Sequence, residues 1–189
     1  MYIFFGDDSV RRGKREGMGM LVSFGGILLP EENLRPLQTA VRAVKGRFGI
    51  PATEELKWSP ARDSWIYSNL HGQARTDCYR DIIVAAKDAS ATAIVVCYDR
   101  GRRSCSQQEA LRKCIDWSFE RITMCLEDRH SLGLMICDRP GGDKRDEEAL
   151  LAEVLSTIQS GTDFVPPSQV PLNILTTPLT LWWSYRSLT

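Results

Sequence analysis

Short apolar runs in this chain alternate with longer stretches in which apolar residues recur every three to four positions. Tyr2-Ile3-Phe4-Phe5-Gly6 is a run of the first kind, and Met20 to Leu29 is a second. The pattern predicts strands at 2–7 and 20–29, and the charged, glycine-rich segment Arg11 to Gly19 has the composition of a hairpin turn. Pro30-Glu31-Glu32 then opens a helix to about Arg47, with acids in its first turn and Leu34, Leu37, Val41 and Val44 at helical spacing. The same reading predicts helices at 73–89, 106–128 and 143–159, and strands at 93–98, 134–137 and 170–175. The helix at 106–128 carries Leu111, Ile115, Phe119, Ile122 and Leu126 on one face. Residues 48–72 follow neither rhythm, and a loop that long inside a compact domain usually has a function.

A strand pair followed by alternating helices and strands predicts an α/β fold: a mixed sheet flanked by helices, in one three-layer domain spanning 1–189. The order fits a ribonuclease-H-like arrangement. In it, the strand running into Asp138 lies beside the first strand, which brings Asp7 and Asp138 together.

Composition narrows the partners. Formal net charge is zero, so any attraction to phosphate must be local. No run reaches the roughly 18–20 continuous apolar residues of a membrane span, and no leader pattern opens the chain, so a cytoplasmic protein is expected. The six cysteines include no Cys-x-x-Cys pair, which argues against structural zinc and for buried free thiols. His71 and His130 stand alone in polar contexts, and no serine sits in a nucleophile-elbow pattern.

The chemistry that remains is carboxylate chemistry at strand ends. Phe5-Gly6 runs into Asp7-Asp8, Ile136-Cys137 runs into Asp138-Arg139, and Glu54-Glu55-Leu56-Lys57-Trp58 comes between. Carboxylates gathered at one point repel unless a cation joins them, and oxygen-only donors suit Mg2+ or Mn2+. Asp7, Glu55 and Asp138 are the expected ligands, with Asp8 in reserve because adjacent strand residues take opposite faces. Lys57, two residues from Glu55, would share its face and orient a phosphate or the attacking water. Arg11, Arg12 and Arg15 after the first acids, and Arg139 after the last, would form a basic rim for a nucleic-acid backbone. Asp99 reads as a turn residue, and Trp58 and Trp65 read as loop-packing residues.

In combination, Tyr2-Ile3-Phe4-Phe5-Gly6-Asp7-Asp8-Ser9, Gly25-Gly26-Ile27, Glu55-Leu56-Lys57 and the strand before Asp138 resemble the bacterial domain of unknown function 3800 family. That resemblance implies a ribonuclease-H-like fold and a metal-dependent nuclease, a hydrolase of DNA or RNA with Asp7, Glu55 and Asp138 in its acidic site. Val10 stands where the family has glycine. The family's final helix, with a Gln-x-Ala-Asp-like motif, has no counterpart here, since no carboxylate follows Asp163. An interrupted C-terminus is therefore expected, with exposed apolar sheet and self-association as its consequence. The alternatives are a non-catalytic nucleic-acid- or partner-binding module with an incomplete site, and an inactive truncated product.

Overall fold

The computed structural model describes residues 1–137, 144–167 and 172–176. The strands are β1 (Tyr2–Arg12), β2 (Met20–Pro30), β3 (Thr92–Asp99), β4 (Gly133–Cys137) and β5 (Leu172–Thr176). The helices are α1 (Leu34–Arg47), α2 (Trp65–Asn69), α3 (Gly72–Asp88), α4 (Gln107–Glu127) and α5 (Lys144–Ser160), with a 3-10 turn at Glu31–Asn33 before α1.

The strands form one mixed sheet in the order β3-β2-β1-β4-β5. β4 runs parallel to both β1 and β5, while β2 runs antiparallel to β3. The connection from β1 to β2 is too short for a crossover, so these two form an antiparallel hairpin, closed by Gly13 N–H donating to the Gly19 carbonyl at 2.8 Å. This is the mixed α/β sheet flanked by helices that the sequence pattern predicts, with the first strand beside the strand that leads to Asp138.

Contacts within the chain gather it into two compact units: Met1–Leu28 with the described residues from Thr92 onward, and Leu29–Ala91. In the first unit, α4 packs on β3 and β1, and α5 lies beside α4 and over β5. Ser106 starts α4 by accepting the Glu109 N–H at 3.0 Å, a cap that satisfies one of the orphan N–H donors at a helix start. One face of α4 buries Ala110, Cys114, Ile115, Phe119, Ile122 and Leu126. Across from it stand Phe4, Val22, Phe24, Ile94, Tyr98 and Met135 from four strands. Burial of each such side chain is worth about 1.5–3 kcal/mol, so this interface is the main source of the unit's cohesion. Gly26 of β2 lies so close to β1 that a Cβ would sit 1.8 Å from the Phe5 carbonyl oxygen, which excludes every other residue there.

In the second unit, α1 and α3 pack together and share a smaller core of Val44, Ile50, Ile66, Leu70 and Cys78. An Arg47–Asp81 ion pair at 2.9 Å links the two helices at the surface.

Three expectations need correction. β1 does not end at Asp7 but continues to Arg12, because the hairpin with β2 supplies hydrogen-bond partners for the charged half as well. Arg11 and Arg12 are therefore strand residues, while Arg15 lies in the turn; all three are exposed. The segment 48–72 is also not wholly irregular, since Ser64 caps the short helix α2 by accepting the Tyr67 N–H. Among the thiols, Cys78, Cys114 and Cys137 are buried as expected, but Cys97 is exposed. It sits on the edge strand β3, on the side away from Tyr98 and α4, together with Ala93 and Val95.

Candidate functional site

Phe4 and Val10 of β1 pack toward α4, so strand alternation sends Asp8 to that side and Asp7 to the opposite one. Asp7 is exposed, and its Oδ1 accepts the Asp8 N–H at 2.8 Å. The parallel pairing of β1 with β4 runs from Tyr2↔Gly133 to Gly6↔Cys137. Asp7 is thus the first β1 residue beyond the described rungs of that ladder. Asp138 and Arg139 lie outside the described residues.

Glu55 and Lys57 belong to the second unit, and the geometry there is specific. Three side chains fix the backbone of this segment. Lys45 of α1 donates to the carbonyls of Ala52 at 2.7 Å and Glu54 at 2.6 Å. Tyr79 of α3 donates its hydroxyl to the Lys57 carbonyl, and Arg75 of α3 donates to the Trp58 carbonyl at 2.7 Å. Burial lowers the pKa of Lys45, and the nearby Glu54 opposes that shift.

Held this way, the segment alternates like a strand. Glu54 turns inward and its Oε1 accepts the Ile66 N–H, a free donor at the start of α2, at 3.2 Å. Leu56 packs against the core of Val44, Ile50 and Ile66. Glu55 and Lys57 turn outward and pair at 3.1 Å, with about half of each side chain exposed (51% and 56%). Of the two adjacent glutamates, Glu54 therefore has a structural task and Glu55 presents its carboxylate to solvent.

Asp99 is a turn residue, as expected. Its Oδ1 accepts the N–H groups of Gly19 at 3.0 Å and Gly101 at 2.9 Å, and Arg102 stands 3.7 Å from its Oδ2. The two backbone donors, with Arg102 assisting, hold its pKa below the usual aspartate value. Gly19 and Gly101 approach so closely that a Cβ on either would fall within 2.4 Å of the other's backbone. Burial pushes the Cys114 thiol up to about 11, which makes it an inert core group donating to the Val22 carbonyl. His71 and His130 are surface residues at helix ends.

Among the described residues, no three His, Cys, Asp or Glu side chains form a group that could hold a metal. Asp7 lies in the first unit, Glu55 in the second, and Asp138 beyond the described residues. No described helix is long and apolar enough to cross a membrane.

Sequence reasoning missed the setting of Trp58. Its ring is 69% exposed, yet it packs on the Tyr79 ring with centroids 5.1 Å apart and planes tilted by 56°. Arg75 lies over the same Tyr79 ring at 5.9 Å. A signal existed, since Arg75 and Tyr79 are four residues apart on one helix and so face the same way. Compared with known proteins, the chain matches no family model and no curated sequence.

Proposed function

We propose that this chain is a metal-dependent nuclease of ribonuclease-H-like type, hydrolysing phosphodiesters with Mg2+ or Mn2+ held by Asp7 and Asp138. One observation carries the reading. Gly6 and Cys137 form a rung between adjacent parallel strands, and Asp7 and Asp138 are the residues that follow them in the chain.

The donor chemistry fits a hard cation: carboxylate oxygens only, with Asp7 exposed. A bound ion would supply a polarised water and charge stabilisation for the leaving oxygen. The residues themselves do the rest. Asp7 is fixed by its place in β1, with Oδ1 tied to the next N–H. Arg11, Arg12 and Arg15 along the hairpin supply local positive charge to a chain of zero net charge. The resemblance to the domain of unknown function 3800 proteins supports the same assignment.

The test is cleavage of labelled DNA and RNA in manganese by wild type and Asp7→Asn. Lewis-acid stabilisation is worth several kcal/mol, so the variant should lose activity by about a hundredfold or more while unfolding at the same temperature. Equal cleavage by both proteins would refute the assignment.

A further inference from the structure

Trp58 is the described tryptophan whose packing leaves most of its ring in water. Trp65 packs against the core of the second unit, and Trp117 stacks on Tyr98 at 6.2 Å and 23°. Trp58 is 69% exposed but does not hang loose. Its carbonyl is held by Arg75, the preceding carbonyl by Tyr79, and its ring by the Tyr79 ring. A large apolar ring fixed in place and open to solvent is a prepared contact surface, because little conformational freedom remains to be lost on binding.

The charge beside it says what would bind. Arg75 brings a guanidinium to the same cluster. A flat π-face next to a guanidinium matches an unpaired nucleobase with its phosphate, and base-on-aromatic stacking tolerates any sequence. A duplex hides its base faces and offers nothing to this ring.

We propose that Trp58 is a stacking platform for an unpaired base of single-stranded nucleic acid, with Arg75 beside the backbone phosphate. The choice of nucleic acid rests on the nuclease reading above. The test is fluorescence anisotropy with labelled oligothymidylate and oligouridylate of about 12 nucleotides, at low salt and in EDTA so that no cleavage occurs. Trp58→Ala should weaken binding by about fivefold or more, Trp58→Phe should retain most of it, and binding of a duplex should not change. Circular dichroism of both variants checks the fold, and the two homopolymers separate a DNA from an RNA preference. Equal binding by wild type and Trp58→Ala would overturn the proposal, as would no binding by wild type. Neither result depends on whether Asp7→Asn still cleaves, so the two readings fail separately.

Discussion

At the scale of single residues, the two neighbouring glutamates show what one position's shift decides. Glu54 and Glu55 are chemically equivalent in the sequence, yet alternation around a buried Leu56 turns one to the start of α2 and the other to solvent. We expect Glu54→Ala to destabilise the protein by about 1 kcal/mol, the usual worth of such a hydrogen bond, whereas Glu55→Gln leaves stability unchanged. Urea unfolding of the two variants checks both halves. The spacing of Glu55 and Lys57 made their common face legible in advance. The fixing of their backbone by Lys45, Arg75 and Tyr79 was not, because those residues come from helices up to twenty or so positions away in sequence.

At the scale of elements, strand and helix positions were legible wherever apolar periodicity was strong, as in α4, whose apolar face runs along a helix of about six turns, and in the run Thr92–Asp99. They were not legible where tertiary pairing overrides local composition. β1 carries Asp7 through Arg12 in extended form because β2 pairs alongside, so the acids stand within a strand and not at its tip. Asp99 then ties the hairpin turn at Gly19 to the turn after β3. Its folded pKa is depressed, so its contribution is fully present above the unfolded value of about 3.9 and is lost as pH falls through the lower, folded value. Thermal unfolding of Asp99→Asn should therefore fall below that of wild type at neutral pH, and the gap should close below about pH 4. A gap that stays constant down to pH 2 would mean the carboxylate's charge is not what holds the turn.

At the scale of the whole molecule, the mixed sheet and the neighbouring, parallel placement of β1 and β4 were readable from the alternation of strands and helices. The gathering of the chain into two compact units was not, because the sequence shows no linker or shift of composition at Leu28–Leu29 or Ala91–Thr92. Asp7 and Asp138 are far apart in sequence, and the pairing of Gly6 with Cys137, the residues before them, draws them into one hypothesis. The central claim is that Asp7 helps to hold a divalent cation. Calorimetric titration of Mn2+ into the wild-type chain and into Asp7→Ala tests it most directly. Saturable binding by the wild type that the variant loses while remaining folded is expected; undiminished binding by Asp7→Ala, or none by a well-folded wild type, would overturn the metal assignment.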